Sequence, residues 1–186
     1  NLAQGLVKRG FTDLWLILNR VKGPYLAHLP QEVRVVDLCE PDVPFRFSRL
    51  LRYLSQQHAG SLWLNSAAKS HYIALKVTGY LRKRHLQFML LSSLMSLKLA
   101  DQIRRIQPNA LLSALTNCNL TAILAQQFVN DAKVVINEQN TPSLSIRSQP
   151  AAGTVLRMMC RLYPKADRIV AVSQGVADDL IAILNL

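Results

Sequence analysis

The chain has 186 residues, half of them apolar, with only 7 Gly and 8 Pro, which excludes a disordered or low-complexity polymer and leaves a globular chain long enough for one domain with a sizeable core. Its formal net charge of +11 points to anionic partners or surfaces. The longest candidate for a spanning segment, 88–97, is about half the roughly 20 apolar residues a bilayer crossing needs and contains three serines, so no transmembrane helix is expected.

In chain order, Leu2 to Lys8 reads as an amphipathic helix closed by Gly10, so the chain opens inside a helix. Nothing after Asn1 has the basic and apolar regions of a signal peptide. Leu14 to Leu18 is a continuous apolar run, as expected of a parallel strand covered on both faces. Past a Gly23-Pro24 loop, Val33 to Leu38 is a second strand. Ala110 to Leu115 is a third, and Thr116, Asn117, Cys118 and Asn119 supply cap residues for a helix over 120–129. Lys133 to Ile136 is a fourth strand, followed by a polar loop over 137–150 and a helix over 151–162. Arg168 to Val172 is a fifth, with Ser173 as cap of a closing helix over 176–184 whose first turn holds Asp178 and Asp179. Strands alternating with helices predict an α/β fold of Rossmann-like type: one parallel sheet with helices on both faces, joined by right-handed crossovers.

The segment 46–105 stands apart. It holds Arg46, Arg49, Arg52, Lys69, Lys76, Arg82, Lys83, Arg84, Lys98, Arg104 and Arg105 against one acid, Asp101, and so carries nearly all of the net charge. Apolar residues recur there at helical spacing, which predicts two or more amphipathic helices broken near Gly60 and Gly79. Such a basic insertion is either a solvated face or a surface for anionic lipid, with Arg46, Arg49, Arg52, Lys76, Arg82, Lys83 and Arg84 as membrane contacts. Nucleic acid is a third reading, disfavoured because no zinc finger or aromatic RNA-binding strand accompanies the charge.

Open parallel sheets bind ligands beyond the carboxyl ends of their strands. Those ends carry Thr116, Asn117 and Asn119, then Glu138, Gln139, Asn140 and Thr141, then Ser173 and Gln174. Turn and cap chemistry accounts for the same residues on local grounds alone, Ser173 above all. His28, His58, His71 and His85 are scattered without a second ligand at metal spacing, so neither metal nor cofactor is expected. Cys39, Cys118 and Cys160 fit neither a disulfide framework nor a zinc ribbon, and read as small buried residues in a reducing compartment.

The segment from Pro108 to Asn117, the run Val134-Val135-Ile136-Asn137-Glu138-Gln139-Asn140-Thr141 and, most specifically, the stretch from Tyr163-Pro164-Lys165-Ala166-Asp167 to Asp178-Asp179-Leu180 resemble the N-terminal domain of bacterial glycosyltransferase family 4. Gly23-Pro24-Tyr25-Leu26 and the strand after it are similar too, so the resemblance spans the chain except about Phe45 to Met89. It implies a retaining enzyme of two facing Rossmann-like domains, this one shaping the acceptor site and the other holding a nucleotide-sugar as donor substrate. It also implies that Glu138 to Thr141 face the cleft between the domains and that Ser173 lies near their hinge. A glycan or lipid-linked acceptor, a cytoplasmic site at the inner membrane face and polysaccharide biosynthesis are the corresponding expectations. The family's glycine-rich loop before the first helix and its donor domain are not in this sequence, so the expectation is a single domain over 1–186 that is inactive until a donor domain, such as a separate chain, completes it. Where the family usually has histidine this chain has Gln139, an amide that donates and accepts hydrogen bonds but does not titrate near neutral pH.

Overall fold

The computed structural model describes residues 2–39, 84–129, 132–147 and 152–185, with side chains from 94 onward in the second of these stretches. The fold is α/β, with parallel strands in sheets flanked by helices in a Rossmann-like manner. The chain divides into two compact units, Asn1–Phe45 and Arg46–Leu186. Five strands were expected in one sheet; among the described residues they hydrogen-bond as two sheets, of two and three strands.

In the first unit, helix α1 (Leu2–Lys8) ends as its sequence predicts. Gly10 takes φ 89°, and the amides of Gly10 and Phe11 return to the carbonyls of Val7 (2.9 Å) and Leu6 (3.2 Å). This paired closure needs a left-handed residue, which glycine adopts without a Cβ clash. Strands β1 (Leu14–Leu18) and β2 (Val33–Asp37) pair in parallel, Leu14 opposite Val33 and Leu18 opposite Asp37. Within the chain β1 is half-buried along its length rather than enclosed, and Arg34 and Val35 of β2 are exposed. Asp37 fastens the carboxyl ends of both strands, accepting from the amides of Val21 (2.7 Å) and Cys39 (2.8 Å).

The second unit contains α2 (Arg84–Ile106), β3 (Ala110–Ala114), α3 (Thr116–Gln126), β4 (Lys133–Glu138), α4 (Pro142–Arg147), α5 (Ala152–Leu162), β5 (Arg168–Ala171) and α6 (Gln174–Leu184). Its sheet runs β3-β4-β5, all parallel, with Leu111 opposite Val134 and Ile136 opposite Ile169. β4 is central, and its period-2 pattern turns Val134, Ile136 and Glu138 into the core, where each is fully buried. Leu120, Ile123, Val155, Met159 and Tyr163 complete that core from the helical side. Leu112, Val170 and Val172 are exposed and belong by register to the other face.

Three local expectations differ from the structure. α3 starts at Thr116, four residues earlier than its apolar pattern suggests, so the polar run 116–119 is its first turn and Leu115 takes the cap position. α6 starts at Gln174, which moves Asp178 and Asp179 out of its first turn. The loop expected over 137–150 begins as the end of β4 and then forms α4. Of the basic segment, only Arg84 onward is described: α2 buries Leu97, Leu99, Ala100 and Ile103, and Arg105 pairs with Asp101 at 2.8 Å. The expected breaks at Gly60 and Gly79, and Arg46, Arg49, Arg52, Lys76, Arg82 and Lys83, lie outside the described residues, as does the side chain of Arg84. No helix among the described residues is long and apolar enough to cross a membrane.

Candidate functional site

Because β3, β4 and β5 run parallel, their carboxyl ends lie on one side, and the backbone carries the pairing slightly past them. The Leu115 amide donates to the Asn137 carbonyl at 3.2 Å and the Val172 amide to the Glu138 carbonyl at 3.2 Å. The turn at 115–119, the turn after Glu138 and the turn at Ser173 are thereby brought together, as the sequence implied.

Within this group the residues divide by exposure. Glu138 does not face a crevice: its side chain is 0% exposed and points into the core, as its register with Val134 and Ile136 dictates. It accepts from Thr116 Oγ1 at 3.2 Å, from Asn119 Nδ2 at 3.0 Å and from the Tyr163 hydroxyl. Asn119 and Tyr163 are also 0% exposed, and Asn119 Nδ2 donates in addition to the Asn137 carbonyl at 3.0 Å. A buried carboxyl is tolerable only with its lone pairs satisfied, and three donors do this, two from the first turn of α3 and one from Tyr163. Burial first, and then the charge of Glu138 and the hydrogen bond to it, push the Tyr163 phenol far above its ordinary range, with a partial counter-effect from Asn119 and Thr116. That phenol is therefore a permanent donor.

Gln139 and Asn140 are exposed, as are Asn117 and Ser173, while Thr116 and Thr141 are half-buried. Ser173 caps α6, its Oγ accepting from the Val176 amide at 3.4 Å, as the cap reading expected. Thr141 stands at the start of α4, where its carbonyl accepts from Ser145 at 2.9 Å. The next amide, of Ser143, is held by the Asp179 carboxylate of α6 at 2.9 Å. Asp179 thus serves α4 rather than the first turn of its own helix.

The accessible part of the group is made of neutral amides and hydroxyls over a buried acid. Such a rim can donate to and accept from the hydroxyls of a polyol, while offering no fixed charge to a phosphate. Among the described residues no three His, Cys, Asp or Glu side chains gather as a metal site. All three cysteines are free; Cys39 and Cys160 are exposed, contrary to expectation, and burial raises the pKa of the half-buried Cys118 thiol. Tyr163 and Asp179 were not among the predicted site residues. The signal for Tyr163 was its own polar handle, which needs a partner wherever the ring is buried.

No family model matches this sequence, and no solved structure does. Over 64 residues the chain is 38% identical to N-acetylgalactosamine-N,N'-diacetylbacillosaminyl-diphospho-undecaprenol 4-alpha-N-acetylgalactosaminyltransferase of Campylobacter jejuni. The match takes in 34% of this chain and 18% of that relative's length. The chain is thus similar, over about a third of its length, to a bacterial glycosyltransferase.

Proposed function

We propose that this chain is the acceptor-side half of a retaining glycosyltransferase with two facing Rossmann-like domains, moving a hexosyl-type sugar from a nucleotide-sugar to a glycan or lipid-linked acceptor. The observation that carries the reading is the neutral polar rim at the carboxyl ends of β3, β4 and β5, in a chain similar to a transferase whose name specifies a diphospho-undecaprenol acceptor. Thr116, Asn117, Gln139, Asn140, Thr141 and Ser173 are the acceptor-side contacts in this reading, and Glu138 supports them from below. Their work is orientation: presenting one acceptor hydroxyl to the donor sugar converts a bimolecular encounter into a reaction within a complex. Stabilisation of the departing diphosphate falls to the donor domain, on the full-length polypeptide or a separate chain.

The test is sugar transfer by the chain joined to, or mixed with, its donor domain. Nucleotide-linked N-acetylgalactosamine and other labelled nucleotide-sugars are offered together with undecaprenyl-diphosphate-linked saccharides. Label should pass into the lipid fraction. If an assembly shown to be folded transfers none, the reading falls.

The charge concentrated over 46–105 supports a second element, attachment of the enzyme to the cytoplasmic membrane face where such acceptors are held. It also supports a rival, a non-catalytic module that binds membrane or protein through this segment. The rival predicts that Gln139→Ala and Asn140→Ala leave every measurable property of the chain unchanged, whereas the transferase reading predicts a raised acceptor KM.

A further inference from the structure

We propose that Glu138 is a positioning residue for the acceptor, a buried clamp that fixes two of the three turns on which the neutral rim stands. This rests on the reading of the site given above. Three features carry it.

The first is connectivity. One carboxyl group joins the first turn of α3 (Thr116, Asn119), the end of β4 and Tyr163, which stands between α5 and β5. Asn119 reaches past it to the Asn137 carbonyl, the same oxygen that accepts the Leu115 amide. The turn at 115–119 is therefore one hydrogen bond from Glu138, the turn at 139–141 follows it directly in the chain, and Ser173 follows Val172, whose amide is bonded to the Glu138 carbonyl.

The second is the position of the acid in its strand. Glu138 is the last residue of β4, and Gln139 and Asn140 follow it directly into the exposed turn. Fixing the side chain of Glu138 fixes the point from which that turn departs, while α4, held at Ser143 by Asp179, fixes where it ends. The rim residues are anchored on both sides of a short loop, which limits their freedom before any ligand arrives.

The third is a cost that core packing alone does not require. An apolar residue at 138 would fill the same space beside Val134 and Ile136 without burying a carboxyl, and replacing a buried polar cluster by apolar groups of like shape is often neutral for stability. Asn119 Oδ1 is buried and has no hydrogen-bond partner among the described residues, a further cost borne by the polar cluster. A cluster kept under those conditions fits a demand for geometry.

The test separates positioning from stability. In the full chain with its donor domain, Glu138→Gln alone should raise acceptor KM about tenfold or more, leave donor KM unchanged and lower stability. The deciding variant replaces the clamp wholesale by Glu138→Leu, Asn119→Leu and Tyr163→Phe. If it recovers thermal stability while acceptor KM stays raised, Glu138 positions the acceptor; if acceptor KM returns to the wild-type value with stability, the clamp only holds the fold and the proposal is overturned. Amide hydrogen exchange supplies a readout that needs no catalysis. In the triple variant, protection should drop at the hydrogen-bonded amides of Leu115, Asn119 and Val172 and persist in β4 at Val134 to Ile136. Unchanged exchange at these three amides overturns the clamp even if the transferase reading stands, and transfer failure by wild type with the exchange pattern as stated removes that reading while leaving the clamp.

Discussion

Tyr163 and Asp167 show how much a single side chain decides in the second unit. Removing the hydroxyl by Tyr163→Phe leaves the buried Glu138 short of a donor that nothing else among the described residues supplies. The loss should cost about 1–3 kcal/mol, visible as a lower midpoint in urea denaturation. A variant within experimental error of wild type would show that the pair is not formed. Asp167 works at the opposite end of the sheet, accepting from the Val134 amide at 2.8 Å, Lys133 Nζ at 3.1 Å and Gln126 Nε2 at 3.2 Å. The Val134 amide first, and then Lys133, hold its carboxyl below the ordinary aspartate value of 3.8. A carboxylate depressed on folding stabilises the native state above its unfolded pKa, and that contribution is lost as pH falls through the lower folded value. The gap in stability between wild type and Asp167→Asn should accordingly be constant at neutral pH and shrink only below about pH 4. A gap that closes above pH 6 would contradict this assignment.

At the scale of elements, the β3-α3 turn is where the sequence and the structure part. Strand and helix patterns in 110–129 were plain, but the boundary was not, because the polar run 116–119 reads equally well as a cap box or as a first helical turn. Leu115 settles it: tertiary pairing of its amide to Asn137 pulls the residue to φ 75°, a conformation that local propensity gives no reason to expect of leucine. A non-glycine residue in such a region stores about 1–3 kcal/mol of strain, and the Leu115 side chain, 45% exposed, recovers little by packing. Leu115→Gly relieves the strain at a cost of about 0.4–1 kcal/mol in unfolded-chain entropy, so the variant should be more stable by up to about 2 kcal/mol. A destabilisation of more than about 1 kcal/mol in chemical denaturation would mean that the turn is unstrained. The same logic explains the other discrepancies. Strand cores such as Val134 to Ile136 announce themselves by apolar runs, as does the glycine stop of α1. Glu138 looked like a loop residue because charge argues for exposure, and only the donors brought by α3 and by Tyr163 reverse that preference.

For the whole molecule, the division of labour follows charge. The turns beyond β3, β4 and β5 offer neutral groups, whereas nearly all of the +11 falls within 46–105. The latter segment is not uniform, since α2 at its end buries Leu97, Leu99, Ala100 and Ile103 and belongs to the core of its unit. Deleting 46–105 would therefore remove part of the fold together with the charge. A cleaner variant replaces Arg46, Arg49, Arg52, Lys76, Arg82 and Lys83 by glutamine and leaves α2 intact. Each basic residue near an anionic bilayer contributes about 1 kcal/mol, so if half of the six make contact the variant loses about 3 kcal/mol, or more than a hundredfold in partitioning. Wild type should float with vesicles of phosphatidylglycerol, remain behind with phosphatidylcholine alone, and be released by salt as screening shortens the reach of its charges. The six-glutamine variant should stay at the bottom of the gradient under all three conditions, while keeping the wild-type unfolding transition. Equal flotation of wild type and variant would locate membrane attachment elsewhere and leave the basic segment as a solvated face.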